Sequence, residues 1–363
     1  MGEDNMKLPP LKIGDLVARV PIIQGGMGIG VSRSKLASAV ANEGGVGIIS
    51  GVQIGYDEPD FETNNKEANI RALKKQIKKA RESTKGILGV NFLCAMNDYN
   101  ELAKIVVESG IDLIISGAGI PTSLPKIVEG SNCKIAPIVS SAKAANIICS
   151  LWDKRYNRIP DLIVVEGPKA GGHLGFSLEG LKIIKEEDFE NIVIEVIRVI
   201  KPFEIKYNKI IPVVVAGGIF DGRDIARFMK LGAAGVQMAT RFVATEECDA
   251  DIRYKNTYVN AKKEDLEIVV SPVGMPGRAI KNEFACKVIK EGKQPINKCY
   301  KCLKHCNPKI APYCISNALI EAVKGNIDKG LIFTGENCTR INKIVKVKDL
   351  ISELLTEAEL NYI

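Results

Sequence analysis

The sequence predicts an α/β fold, a closed TIM-type (β/α)8 barrel with a helical, cysteine-containing insert or lid after the eighth strand. Three observations predict it. Eight short apolar runs recur through the first two thirds of the chain, each ending in glycine or a small polar residue. The runs are continuous rather than alternating, as a parallel sheet covered on both faces requires. Segments long enough for crossover helices separate them, and eight successive βα units favour closure over an open, doubly wound sheet.

In order, the runs are PIIQG (21–25), GIISG (47–51), GVNFL (89–93), DLIISG (112–117), KIAPIVS (134–140), DLIVVEG (161–167), IPVVVAGG (211–218) and GVQMATRF (235–242). Residues 34–42 and 223–231 between them have helical character. Gly25, Gly26, Gly28 and Gly30 after the first run lack the spacing of a dinucleotide-binding turn. Beyond Phe242 the rhythm stops. The reading divides the chain into a barrel at 1–243, a mainly helical lid at 244–324 that includes a turn-rich 271–278, and a C-terminal segment at 325–363 packing back on the barrel. Residues 317–324 and 348–360 read as helices.

Composition narrows the function. Hydrophobic residues at 46% allow a large core, and aromatics at 6% do not suit a base-stacking surface. The net charge of +7 is scattered, with no aromatic-interleaved basic patch, so nucleic acid is not an expected partner. The 1–10 stretch is polar and no run approaches a membrane span, so the expectation is a cytoplasmic protein with cysteines reduced or metal-bound.

In such a barrel the chemistry sits where the strands end. Run seven ends in Gly217-Gly218 and run eight in Gln237-Met238-Ala239-Thr240, a pair of loops suited to closing main-chain N–H groups around a phosphate. Run six leads through Glu166 to Gly171-Gly172-His173, one of only two histidines. Flanking glycines permit close approach of a flat ligand, and imidazole titrates near neutrality. Run one ends in Gly25-Gly26-Met27, small enough for an isoalloxazine ring, and run three contributes the Asn91 amide.

PIIQGGMG, GVNF, EGxxAGGHxG, AGGI and QMATRF, as an ordered set from Pro21 to Phe242, resemble the nitronate monooxygenase (2-nitropropane dioxygenase) family. The flavin-dependent enoyl-acyl-carrier-protein reductases are a sister group. The similarity continues more loosely through 278–282. The resemblance implies a non-covalent FMN, with Gly25, Gly26 and Met27 flanking the ring and Asn91 and Glu166 as polar contacts. Gly171 and Gly172 would pack beside the flavin, and Gly217, Gly218, Gln237, Met238, Ala239 and Thr240 would hold the phosphate. His173 matches the family's catalytic histidine. Ala239 stands where many relatives have glycine, and Glu166 where many have glutamine. The resemblance implies oxidation of alkyl nitronates, or of nitroalkanes after proton abstraction by His173, to carbonyl compounds and nitrite, in a homodimer. The alternatives are NAD(P)H-dependent reduction of an enoyl thioester, and a non-catalytic flavin- or phosphate-binding module.

Cys299, Cys302, Cys306 and Cys314, with His305 among them, have a spacing that suits zinc or an iron–sulfur cluster. The first three resemble the cluster motif of some flavin-dependent enoate reductases. The same spacing places 299, 302 and 306 on one helical face, where reduced thiols simply pack. The sequence leaves both readings open and assigns no metal.

Overall fold

The computed structural model describes residues 8–362; the first seven residues of the polar 1–10 stretch lie outside them. An N-terminal hairpin, β1 (Leu11–Ile13) and β2 (Leu16–Ala18), precedes the barrel. Then come β3 (Ile22–Gln24), β4 (Val46–Ser50), β5 (Ile87–Leu93), β6 (Leu113–Gly117), β7 (Lys134–Val139) and β8 (Ile163–Glu166). A short β9 (Gly172–His173) follows, and β10 (Val213–Ala216) and β11 (Gly235–Met238) complete the set. Eight of these close in the order β10-β11-β3-β4-β5-β6-β7-β8, with every pairing parallel.

Each of the eight apolar runs overlaps one barrel strand, with β4 and β5 beginning just before their runs, and the burial pattern says why they are continuous. Ile23, Ile48, Val164 and Val214 point into the barrel, while Ile22, Ile49, Val165 and Val215 pack outward under the helices. Both faces are therefore apolar, each buried Ile or Val contributing about 1.5–3 kcal/mol. Leu11, Ile13 and Ala18 join the inner cluster, so the hairpin plugs the barrel and leaves the opposite, C-terminal mouth open. The last run overshoots its strand. Ala239 leaves extended geometry, and Thr240–Val243 form a helical turn.

The outer ring closes late. Helix Val347–Tyr362 packs against helices Gly222–Lys230 and Ser34–Asn42, the place of an eighth barrel helix. The chain between Ala244 and Lys346 is thus an excursion from the end of the last strand. It carries three helices, Ile252–Asn260, Glu283–Glu291 and Ile315–Val323. It also carries β12 (Leu266–Val270), β13 (Pro276–Ile280) and β14 (Ile332–Phe333), a set of antiparallel strands that the lid reading did not include. The turn-rich 271–278 is the bend of the β12–β13 hairpin and the start of its second strand. Residues 299–306 do not form the helix their cysteine spacing allows: Lys301 adopts a left-handed φ of 49° and Leu303 bridges to Met96. Among the described residues no helix is long and apolar enough to cross a membrane.

Candidate active site

The mouth of the barrel opens into a cavity of about 830 Å³, a size suited to a cofactor with substrate beside it. Gly25, Gly26 and Met27 after β3, Asn91 on β5 and Glu166 at the end of β8 line it. So do Gly171, Gly172 and His173, with Gly217, Gly218, Gln237, Met238, Ala239 and Thr240. The structure thus brings every site residue expected from sequence to one cavity, of which the glycines build one wall.

Main chain forms much of that wall. Gly217 has φ +82°, and a Cβ there would lie 2.6 Å from the Gly167 oxygen, so only glycine lets the turns after β8 and β10 touch. The Ala239 methyl faces Gly25 without crowding, since even a Cβ on Gly25 would stand 3.5 Å from it. Asn91 Nδ2 donates to the Ile115 oxygen at 3.3 Å, which fixes the amide. Ser50 Oγ and Gln237 Oε1 are buried beside the cavity without a hydrogen-bond partner. Orphaned polar atoms cost about 1–3 kcal/mol each, and a polar ligand would satisfy them.

His173 is not in a free loop. Gly172 and His173 form β9, which pairs antiparallel with β13 in the insert, opposite Arg278 and Gly277. His173 Nε2 lies 2.6 Å from Ser271 Oγ, and Phe333 packs edge-on with ring centroids 5.3 Å apart. The imidazole retains some contact with the cavity but is surrounded by protein, and burial lowers its pKa to about 4. It is neutral at physiological pH and can accept a proton. Glu166, also open only to the cavity, is pushed by burial up to about 7. The two titratable groups are therefore displaced in opposite directions relative to solution.

The insert holds this arrangement in place. Arg278 donates to the Pro168 oxygen at 2.9 Å and the Ala170 oxygen at 2.6 Å, pinning the loop before His173. Gly171 touches Thr334-Gly335, where a Cβ would meet the Gly335 nitrogen at 2.6 Å. Gly335 N–H donates to Thr240 Oγ1 at 3.3 Å, and Asn337 Nδ2 to the Gly218 oxygen at 2.7 Å. Ser271, Arg278, Phe333 and the 334–335 turn were not among the expected site residues. Arg278 lies in the looser stretch of resemblance, and that was the one available signal.

Comparison with known proteins identifies the family. The family model described as nitronate monooxygenase matches residues 10–357. A probable nitronate monooxygenase of Staphylococcus saprophyticus is 27% identical over 311 residues, covering 78% of this chain and 81% of the relative. A (3aS,4S,5R,7aS)-5-hydroxy-7a-methyl-1-oxo-octahydro-1H-indene-4-carboxyl-CoA dehydrogenase of Mycobacterium tuberculosis is 26% identical, covering 74% of this chain and 65% of that one. Among solved structures, FabK from Thermotoga maritima superposes with a TM-score of 0.72 at 28% identity, covering 94% of each chain. The match runs over nearly the whole chain and makes it a flavin-dependent oxidoreductase: the chain belongs to the nitronate monooxygenase family.

Proposed function

We propose that the protein binds FMN in the mouth of the barrel and oxidises alkyl nitronates with dioxygen to carbonyl compounds and nitrite. The observation that carries this reading is His173, neutral through burial and facing the same cavity as the Gly217-Gly218 turn after β10 and the Ala239-Thr240 turn after β11. The residues fit a flavin. Ser50 Oγ and Gln237 Oε1 await polar partners, Asn91 presents a fixed amide, and the Gly217-Gly218 and Ala239-Thr240 turns offer main chain to a phosphate. When bound, FMN supplies the electron acceptor for the substrate and the route of electrons to dioxygen.

The chain's own residues do the rest. When His173 donates Nε2–H to Ser271 Oγ, the Nδ1 lone pair is left to take the α-proton of a neutral nitroalkane. Ser271 Oγ also accepts from Val273 N–H at 3.4 Å, which helps hold the hydroxyl in place. With a preformed nitronate no proton need move, and the other tautomer, with Nε2 accepting from the Ser271 hydroxyl, leaves Nδ1–H to donate to the anion. Glu166, protonated below about pH 7, spares that anion a second negative charge.

A second reading, reduction of an enoyl thioester with NAD(P)H, is favoured by the apolar wall of Ile138, Val139, Ile148, Phe176 and Ile192 and by the CoA-thioester named for the mycobacterial relative. Anaerobic mixing separates the two. Bleaching of the FMN-loaded protein by an alkyl nitronate but not by NADH supports nitronate oxidation, and the reverse supports the reductase. Retained FMN bleached by neither leaves a binding module, and protein that cannot be reconstituted with FMN removes the cofactor assignment.

A further inference from the structure

The cavity at the barrel mouth is nearly devoid of positive charge. Among the described residues that line it, Lys169 is the one lysine or arginine, and His173 is neutral. The guanidiniums nearby are committed elsewhere. Arg241, next to Thr240, donates to the Phe220 oxygen at 3.1 Å and pairs with Glu353, while Arg340 pairs with Asp221. A phosphate monoester such as that of FMN brings about 1.5–2 negative charges at neutral pH.

Lys169 stands where that charge would fall. Its main chain is fixed, since Glu336 N–H donates to the Lys169 oxygen at 3.1 Å and Arg278 binds the carbonyls on either side. Its aliphatic stem lies across Gly218 in the turn after β10: a Cβ on Gly218 would meet Lys169 Cβ at 3.1 Å and Cδ at 3.4 Å. The turn after β11 is equally close. Gly335, whose N–H reaches Thr240 Oγ1 at 3.3 Å, would carry a Cβ only 3.4 Å from the Lys169 oxygen. Lys169 therefore sits at the junction of the two turns.

The partner that now holds its ammonium is exchangeable. Lys169 Nζ pairs with Glu186 Oε1, at the first residue of helix Glu186–Val199, where the carboxylate is about half exposed. Water competes for both charges in such a pair, so it is weak. Glu186 Oε2 also accepts from Arg227 at 3.1 Å, so Glu186 keeps a cation if Lys169 leaves. A compact charge on a flexible four-carbon stem suits the move, and lysine binds phosphate as a point charge.

We propose that Lys169 is the phosphate-binding cation of this site, exchanging Glu186 for the phosphate of FMN. The inference rests on the flavin reading above and deepens it. The glycine turns supply the shape of the phosphate cradle, and one swinging ammonium supplies its charge. Glu186 is the competitor: it parks the ammonium in the flavin-free protein and so lowers the affinity for the phosphate.

The test compares FMN with riboflavin, which lacks only the phosphate. Flavin fluorescence is followed while the flavin-free full chain and its variants are titrated. Lys169→Met keeps a stem over Gly218 and removes the charge. It should weaken FMN about 10- to 100-fold, the worth of one charge-assisted hydrogen bond, and leave riboflavin within about twofold. Lys169→Arg should retain most of the FMN affinity. Glu186→Gln should tighten FMN about two- to fivefold without altering riboflavin. Added salt should weaken FMN binding to the parent more than to Lys169→Met. Unchanged FMN affinity in Lys169→Met overturns the proposal, and so do equal losses for both flavins, which would reduce the side chain to packing on Gly218. A parent that binds both flavins equally overturns it as well. A parent that binds neither flavin fails earlier, at the flavin reading itself.

Discussion

The barrel and its insert build the same cavity by different means. From the barrel come mostly backbone and small residues: Gly25, Gly26, Gly217 and Gly218, with Asn91 and Gln237 as isolated amides. The insert contributes groups that act on the loop carrying His173. Ser271 holds His173, Phe333 packs against it, and Arg278 binds the carbonyls of the loop that leads to it. The difference teaches a division of labour. A wall of main chain is suited to gripping a ligand, while side chains from the excursion position the imidazole.

That comparison can be broken most sharply at its meeting point. His173→Ala should retain FMN, since the wall that grips it is untouched, and should slow turnover of a neutral nitroalkane by about 10²–10⁴-fold, the usual worth of a positioned acid–base group. Turnover of a preformed nitronate should fall much less. Equal losses on both substrates would move His173 from proton transfer to simple packing.

Next in size is Arg278→Met. It leaves the Pro168 and Ala170 oxygens buried and unmet, at about 1–3 kcal/mol each, and denaturant unfolding of the flavin-free protein should report the loss. An unchanged midpoint would mean that the insert does not hold the loop. Ser271→Ala should be milder, removing one hydrogen bond to the imidazole worth about 1 kcal/mol, or about fivefold in kcat/KM, with FMN affinity unaltered. Weakened FMN binding instead would blur the line between wall and insert.

The smallest effect concerns pH. Glu166, raised to about 7, favours the folded, flavin-free protein below the ordinary carboxyl range, and that contribution is lost as pH rises through about 7. His173, lowered to about 4, works in the other sense: its contribution is present above about 6.5 and lost as pH falls through about 4. Glu166→Gln should therefore flatten the fall in stability between mildly acidic and neutral pH and leave the acid side alone. His173→Asn should do the converse. Chemical denaturation across pH reads both, and a Glu166→Gln curve that parallels the parent would sink the assignment.

The two regions were also unequally legible in sequence. Strands such as Val213–Ala216 are apolar on both faces because both are buried, so their signal is strong and local. His173 stood out through its glycine neighbours. The insert's sheet gave no such signal, since β9 and β14 are two residues each and exist through partners in β13 about a hundred and about fifty residues away. Ser271 faces His173 for the same long-range reason. The cysteine loop misled in a specific way: spacings of three and four suit a helical face, yet the left-handed Lys301 interrupts any such turn. Sequence periodicity reports spacing along a chain and is silent on whether the intervening residues coil or loop.

The 244–346 excursion leaves and rejoins the barrel through a single doorway. Val345 N–H donates to the Ala244 oxygen at 3.1 Å, and Glu246 N–H returns to the Val345 oxygen at 2.9 Å. Departure and arrival points are stitched together, so the number of residues in transit is decoupled from the register of everything outside. Such a junction lets a protein engineer exchange the whole excursion for one of another length as a cassette without recutting the barrel.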